Sequence, residues 1–131
     1  MSDKSQLGTI GWFDLTVKNA KPLSKFYSDV IGWKIQETPV DDYHDYTMTH
    51  SETEHPLSGI CHKKGQNSDI PSQWLMYVYV DEIEKRSLRI EELGGTILKG
   101  PTAPSSYGRF TIFKDPEGAV MALFEANNPE G

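Results

Sequence analysis

Three polar side chains of this sequence stand within apolar or aromatic segments, where each could do chemistry: Asp14, His50 and Arg109. An imidazole exchanges a proton near neutral pH, and a dry aromatic site raises the pKa of a carboxyl group, so His50 and Asp14 are candidate catalytic acid and base groups. The Arg109 guanidinium presents a fork of donors that binds a carboxylate or a phosphate of a ligand. Structural roles stay open beside these, namely a backbone hydrogen bond for His50 and an ion pair between Asp14 and Arg109.

Aromatic side chains accompany these polar groups and would supply stacking surface for a planar ligand. Tyr107 lies in a loop rich in proline and serine, between Pro101 and Gly108, which either covers the mouth of a site or simply connects two strands. The candidate ligand-binding residues are Trp12, Tyr46, Tyr77, Tyr79, Tyr107, Arg109 and Phe124.

Two helices and eight short strands are predicted to position these residues. Apolar residues recur at helical spacing from Leu23 to Ile31, and a second, thinner apolar stripe follows Asp81 and ends at Gly94. Short β-branched or aromatic runs bounded by turn-forming residues are typical of strands. These runs are Ile10 to Val17, Lys34 to Glu37, Tyr46 to His50, Leu57 to Cys61, Leu75 to Val80, Thr96 to Lys99, Arg109 to Phe113 and Ala119 to Phe124.

The order of these elements, βαβββ followed by βαβββ, indicates an internal repeat. At one constant offset of 63 positions Gly32 falls on Gly95, and apolar positions of the first half fall on apolar positions of the second. We therefore expect one α+β domain of two tandem βαβββ modules, about residues 8–62 and 73–126 with a linker at 63–72, forming a curved mixed sheet around a cleft. The alternative is that any two βα units share such a pattern.

Side chains alternate between the two faces of a strand, so a uniform apolar set identifies the face beneath a helix. In the first strand that set is Phe13, Leu15 and Val17, which sends Trp12 and Asp14 to the open face. The same argument sends Tyr77, Tyr79 and Phe124 to the open face of the second module.

The seventh strand is interpreted in the same way. Phe110 and Ile112 resemble core residues, which sends Arg109 to the open face, and the repeat offset carries this phase to Tyr46 and His50. Two facing open sheets would enclose a small-molecule cleft, which is typically apolar with sparse polar groups. Alternatively the two faces pack on each other, or on a second subunit, as plain core.

Two sequence features carry a resemblance to a known family: the segment FYSDVIGW at 26–33 and the run FKDPEG at 113–118. With the paired βαβββ plan they resemble the vicinal oxygen chelate superfamily, which includes glyoxalase I, bleomycin-resistance proteins, fosfomycin-resistance enzymes and extradiol dioxygenases. The resemblance covers about residues 8–126. The sequence GRF at 108–110 is similar to a glyoxalase-like branch whose members mostly have no assigned substrate. Members commonly dimerise, so the resemblance implies a homodimer.

Metalloenzymes of this superfamily hold one divalent ion with His, Gln or Glu side chains from the first and last strands of each module. Carried over onto this sequence, the ligand positions fall on Trp12, Leu75 and Ala122, and the repeat offset adds Gly59. None of these side chains binds a hard or borderline cation. We therefore expect no metal and no other cofactor, although the resemblance keeps a divalent ion as an alternative.

A second place for a metal is the acidic segment between residues 41 and 62, which holds all four histidines. Its spacings match no ligand motif, and acid-rich turns between strands are usually solvated loops. The sequence therefore predicts exposed turns there. Cys61, which has no nearby base in the sequence, is interpreted as a small buried hydrophobic residue.

The charge balance excludes other classes of partner. With 13 basic against 19 acidic side chains, the formal net charge is −6, and no lysine-arginine block is present, so neither nucleic acid nor an anionic membrane is an expected partner. No secretory signal and no apolar stretch of roughly 18 residues is found. Together with the single cysteine, this composition predicts a cytoplasmic protein.

Three functions follow from these observations. The first is a metal-independent protein that binds a small aromatic or planar organic molecule. The second is an enzyme of the lyase, isomerase or dioxygenase type, which uses either a metal held by non-standard ligands or metal-free acid–base chemistry at Asp14 and His50. The third is a structural dimer module without a ligand.

Overall fold

The computed structural model describes residues 6–40 and 43–127, and within them the chain forms eight strands and two α-helices. The predicted α+β class is confirmed. The strands are β1 Ile10–Val17, β2 Lys34–Val40, β3 Tyr43–Thr49, β4 Pro56–His62, β5 Leu75–Tyr79, β6 Thr96–Lys99, β7 Gly108–Lys114 and β8 Val120–Ala126, and the helices are α1 Ala20–Ile31 and α2 Ile83–Glu92.

The chain divides into two compact units. The N-terminal unit comprises residues 12–74, and the C-terminal unit comprises residues 75–127 together with residues 6–11 of the described chain. Backbone hydrogen bonds explain the second grouping: Gly8 N donates to Tyr79 O at 2.7 Å, and Tyr79 N donates to Thr9 O at 2.9 Å. The segment that precedes β1 therefore runs along β5.

The strands of the N-terminal unit lie in the order β2-β3-β4-β1. The β1/β4 pair is parallel, and the β2/β3 and β3/β4 pairs are antiparallel. Ile60 lies opposite both Leu15 and Tyr46, so these three side chains share one face. They are buried with Ala20 of α1 and Met48, which form the core of this unit. Helix α1 therefore covers this face, and the opposite face belongs to residues of the other parity.

Helix α1 ends where the sequence predicts. Gly32 follows its last turn with a φ of 93°, a left-handed conformation that glycine adopts without strain. Its N–H donates to Ser28 O at 2.7 Å and so satisfies one of the last carbonyls of the helix. The chain then turns directly into β2, which begins at Lys34.

The strands of the C-terminal unit lie in the order β5-β8-β7-β6. The β5/β8 pair is parallel, and the β8/β7 and β7/β6 pairs are antiparallel. Helix α2 packs on one face, where Ser87 Oγ and Thr111 Oγ1 are 2.9 Å apart and both residues are buried. Leu123 lies opposite Thr111 and Val78, so these residues share the helix face.

The predicted phase of β7 and β3 was wrong. Thr111 hydrogen-bonds to Ser87 of α2, which places Thr111 and Arg109 on the helix face and sends Phe110 and Ile112 to the open face. The sequence pattern failed because both alternating sets of β7 contain large apolar residues, and a buried threonine-serine pair leaves no apolar signal. The repeat offset transferred the error to β3, where Tyr46 lies in the core and not on the open face.

Within the described ranges, neither helix is long and apolar enough to cross a lipid bilayer.

Candidate functional site

The open face of the N-terminal unit, opposite α1, brings together two carboxyl groups, a thiol and an indole ring. Strand pairing defines its members, because Gly59 lies opposite both Asp14 and Thr47, and Cys61 lies opposite Thr16. We call this surface the Asp14 face. It consists of Trp12, Asp14 and Thr16 from β1, Asp45 and Thr47 from β3, and Gly59 and Cys61 from β4.

Two donors hold the Asp14 carboxylate in place. Trp12 Nε1 donates to Asp14 Oδ1 at 3.1 Å, and the Cys61 thiol donates to the same oxygen at 3.9 Å. Trp12 and Asp14 are two residues apart on one strand, so their alternation toward the same face brings them together, as the sequence predicts. Because both donors reach Oδ1, that oxygen is the fixed end of the carboxyl group.

Gly59 makes room for this carboxylate. A methyl group added at Gly59 would overlap Asp14 Oδ1 and would approach Trp12 Nε1 to 3.5 Å. Gly59 has no positive φ, in contrast with Gly32, so the requirement is for space and not for an unusual backbone conformation. The carboxylate therefore lies directly over the backbone of β4.

The surroundings of Asp14 shift its proton equilibrium toward neutral pH. Burial is the largest cause and raises the pKa of Asp14 from its ordinary value of 3.8 to about 6. The hydrogen bond from Trp12 opposes this shift, and the charge of Asp45 adds to it. A carboxyl group with this pKa holds its proton through mildly acidic conditions and releases it near neutrality.

The Cys61 thiol lies between two carboxylates. Burial raises its pKa first, and the charges of Asp14 and Asp45 raise it further. The thiol therefore stays protonated, which makes it a hydrogen-bond donor and an unreactive nucleophile. The expectation of a small buried hydrophobic residue missed this donor role.

Asp45 lies on β3 at the side of the Asp14 face farthest from β1. The backbone N–H of His62 donates to Asp45 Oδ1 at 2.8 Å, and His62 Nδ1 lies 3.5 Å from the same oxygen. His62 Nδ1 is also 2.8 Å from the carbonyl oxygen of His44. Sequence reasoning assigned this segment to solvated turns and missed Asp45. Its alternation with Thr47 along β3 was the signal that could have found it.

Aromatic rings cover the open face of the C-terminal unit. Tyr77 and Phe110 meet at 6.2 Å between ring centroids, and Tyr79 and Phe124 meet at 6.0 Å. Tyr77, Tyr79 and Phe124 share this face, as the sequence predicts, whereas Phe110 was expected in the core. Gly11 permits the packing of Tyr79, because a methyl group at Gly11 would overlap that ring.

Arg109 lies on the helix face of the same unit, which corrects its predicted position on the open face. Its Nη1 donates to Glu84 Oε1 of α2 at 2.9 Å, and its Nε donates to the carbonyl oxygen of Thr102 at 2.8 Å. These bonds tie α2 and the loop before β7 to the strand. Arg109 therefore forms an ion pair with Glu84, a different partner from the Asp14 that the sequence left open.

The other three sequence candidates are not members of the Asp14 face. Tyr46 is buried in the core beneath α1, which raises its pKa, and its ring lies 5.9 Å from that of His62. Tyr107 is 79% exposed in a turn, where its N–H donates to Ser105 Oγ. His50 is exposed just beyond β3, and its Nδ1 accepts hydrogen bonds from the backbone N–H groups of residues 52 and 53. The backbone role left open for His50 is therefore present, because its ring closes this turn.

Comparison with known proteins decides the family. A family model described as the glyoxalase/bleomycin resistance protein/dioxygenase superfamily matches residues 9–123. The chain belongs to this superfamily. The resemblance noted at FYSDVIGW and FKDPEG is thereby confirmed.

Two curated relatives each match 95% of this chain. The anthracycline biosynthesis protein DnrV of Streptomyces peucetius is 26% identical over 135 residues, which are 49% of that protein. The putative glyoxylase CFP32 of Mycobacterium tuberculosis is 26% identical over 125 residues, which are 48% of that protein. The chain thus spans about half the length of the curated relatives that it matches.

Solved structures show the same fold at low sequence identity. Methylmalonyl-CoA epimerase from Mycobacterium tuberculosis superposes with a TM-score of 0.58 at 12% identity, covering 98% of this chain and 94% of that one. The Mn(II)-bound glyoxalase from Novosphingobium aromaticivorans gives a TM-score of 0.55 at 16% identity, covering 92% of this chain and 39% of that one. Both similarities concern the fold alone.

The residues at the four positions that the resemblance assigns to metal ligands do not fit a divalent ion. Trp12 and Gly59 occupy these positions in the N-terminal unit, and the buried Leu75 and Ala122 occupy them in the C-terminal unit. Indole, hydrogen and aliphatic side chains offer no donor atom to a cation. Elsewhere in residues 6–40 and 43–127, no group of three or more His, Cys, Asp or Glu residues is arranged to hold a metal ion.

Proposed function

We propose that this superfamily member binds a planar, aromatic organic molecule on the Asp14 face without a metal ion. The observation that carries this proposal is the Trp12–Asp14 pair seated over Gly59. A metalloenzyme of the superfamily would hold its ion at four positions, and at the two of them that lie in the N-terminal unit this chain has the Trp12 indole ring and a glycine, which has no side chain. The space that Gly59 leaves is filled by a carboxylate from the neighbouring strand.

The chemistry of the Asp14 face suits such a ligand. Ligand sites combine apolar surface with a few fixed polar groups, and here the Trp12 indole offers the stacking surface while Asp14 offers the polar group. The hydrogen bond from Trp12 Nε1 to Asp14 fixes the indole and the carboxylate relative to each other. A site with these two groups already in position loses little conformational entropy when it binds.

The names of two relatives favour an aromatic ligand. DnrV and the DauV protein of Streptomyces sp. (strain C5), which is 25% identical over 135 residues, are both named as anthracycline biosynthesis proteins. Anthracyclines contain fused planar rings. The chain covers only about half of each protein, so the inference extends to the ligand class and not to their activity.

A second candidate function is metal-free acid–base catalysis of the lyase or isomerase type. The observation that favours it is the pKa of Asp14, raised by burial to about 6, since a group that exchanges its proton near working pH is suited to general acid or base catalysis. Asp14 is the stronger candidate, because His50 lies in an exposed turn with Nδ1 engaged by the backbone. Binding without turnover of any ligand would leave the first function alone.

Replacing Trp12 with alanine is expected to weaken binding of the planar probe 2-naphthol about tenfold or more, because the stacking surface is lost. Equilibrium dialysis measures the affinity. The matched control is Phe13→Ala, which removes an aromatic ring from the adjacent position of β1 on the opposite face and is expected to leave binding unchanged. Equal affinity of wild type and Trp12→Ala would contradict the proposed site.

The same assay tests metal independence. Protein dialysed against a chelator is expected to bind 2-naphthol as tightly as untreated protein, because no metal donor is present at the superfamily's ligand positions. A loss of affinity that added Mn²⁺ or Zn²⁺ restores would contradict the metal-free function and favour an enzyme with non-standard ligands.

We also propose that the chain forms a homodimer. Helix α1 exposes Phe26 and Val30, which lie one turn apart and are 56% and 65% exposed, and such a patch favours association. Light scattering coupled to size exclusion is expected to give twice the chain mass of 14.8 kDa. A mass of one chain at micromolar concentration would contradict the dimer.

A further inference from the structure

Resting on the proposed function, we propose that the Asp14 carboxylate selects planar ligands that carry a phenolic hydroxyl group at the ring edge. Oδ1 is the oxygen that Trp12 and Cys61 hold, so Oδ2 is the end of the carboxyl group that meets the ligand. An ionised carboxylate only accepts hydrogen bonds, so Oδ2 requires a donor from the ligand. A hydroxyl on a ring stacked against Trp12 supplies that donor.

The Asp14 face makes this selection strict because the carboxylate is poorly solvated. Burial of Asp14 disfavours its charge, and a hydrogen bond from the ligand to the charged form offsets that cost. A ligand whose oxygen carries no hydrogen leaves the carboxylate without this bond. The free-energy difference between such ligands is expected to exceed the net value of an ordinary hydrogen bond, because one oxygen of a poorly solvated carboxylate then receives no hydrogen bond from the ligand.

Neighbouring titratable groups influence the protonation state of the Asp14 carboxyl group. The titratable groups that face Asp14 within the N-terminal unit are the Cys61 thiol on β4 and Asp45 on β3. Cys61 keeps its proton and donates it to Oδ1, and the charge of Asp45 acts on Asp14 from the edge, where His62 holds the Asp45 carboxylate. Asp14 Oδ2 is therefore the oxygen that carries the proton in acid and loses it at neutral pH.

The test compares 2-naphthol with its methyl ether, 2-methoxynaphthalene, by equilibrium dialysis at pH about 7.5. Wild type is expected to bind the hydroxyl compound about tenfold or more tightly than the ether. In Asp14→Asn, Trp12 and Cys61 still require an acceptor, so the amide oxygen stays at the Oδ1 position and the amide nitrogen, a donor, takes the Oδ2 position. The preference is therefore expected to fall to about one or to reverse.

Two outcomes separate this inference from the function on which it rests. If Trp12→Ala weakens both compounds while wild type does not distinguish them, or if Asp14→Asn keeps the full preference, hydroxyl selection is wrong and the binding site stands. If Trp12→Ala weakens neither compound, or if neither compound binds wild type, the proposed function fails and the selection fails with it. Phe13→Ala is expected to retain both the affinity and the preference.

Discussion

Replacing Asp14 with asparagine is expected to stabilise the protein at pH about 7.5 and to leave its stability near pH 4 almost unchanged. Burial raises the pKa of Asp14 from 3.8 to about 6, so the folded protein binds this proton more tightly than the unfolded chain does. The contribution of Asp14 to stability is therefore fully present below pH about 4 and is lost as the pH rises through 6.

The size of the stability change follows from the pKa shift of Asp14. The difference in this pKa between the folded and unfolded states corresponds to a loss of stability on the order of 3 kcal/mol once the carboxyl group is ionised. Asparagine keeps the shape and the acceptor oxygen but carries no charge, so it avoids this penalty. Gains of about 1–3 kcal/mol in the free energy of unfolding are expected in urea titrations at the higher pH.

The control for this titration is Glu117→Gln, which removes a carboxylate from an exposed turn and is expected to change stability little at either pH. A gain of equal size for Asp14→Asn at both pH values would contradict the argument, because it would show that the gain does not depend on charge. A loss of stability at pH about 7.5 would show that the carboxylate, and not its neutral isostere, is the species that the fold accommodates. Retention of a destabilising charge is typical of functional sites.

Replacing Gly59 with alanine is expected to destabilise the protein by about 1–3 kcal/mol and to abolish the preference for a hydroxyl ligand. The added methyl group overlaps Asp14 Oδ1, so the carboxylate has to leave its position over β4. Its hydrogen bonds from Trp12 and Cys61 are then broken or lengthened. Neighbouring backbone cannot yield, because Gly59 is buried and paired on both sides, to Asp14 of β1 and Thr47 of β3.

A double-mutant cycle tests the cause. In an Asp14→Ala background the methyl group of Gly59→Ala meets no carboxylate, so its cost in urea titration is expected to fall to less than half of the cost in wild type. Additive costs would show that the alanine strains the strand itself and that the carboxylate is not the obstacle. Because Gly59 has no positive φ, the backbone conformation by itself tolerates alanine.

The order of the elements and their repeat predicted the fold, and the alternation of β1 and β5 predicted which of their residues share a face. Leu15 on β1 and Val78 on β5 belong to uniform apolar sets, so the opposite faces, with Trp12, Asp14, Tyr77 and Tyr79, followed from spacing alone. The same argument assigned the residues of β7 to the wrong faces, because Thr111 is buried with a hydrogen bond to Ser87 and such a polar pair has no hydrophobic pattern in the sequence. The error reached Arg109 directly and Tyr46 through the repeat.

The partners of Asp14 could not be predicted, because their positions depend on the pairing of strands. Cys61 and Asp45 reach the Asp14 face only through the parallel β1/β4 and antiparallel β3/β4 registers. Gly59 was seen only as an absent metal donor, whereas the structure gives it a positive role as the space for a carboxylate. Sequence spacing shows which residues share a face of one strand, and only the register shows which of them meet across strands.

The rate at which the Cys61 thiol is alkylated can be used to detect local opening of the structure beside Asp14. Cys61 is the single cysteine of the chain, and its thiolate is the nucleophile that would attack an alkylating reagent. Burial and the two flanking carboxylates suppress the thiolate in the folded protein. Alkylation is therefore expected to be slow in the folded protein and to accelerate during excursions that separate β4 from its neighbours and admit water. The rate at which a reagent labels Cys61 is expected to report those excursions at the Asp14 face, and a ligand bound there is expected to slow the labelling.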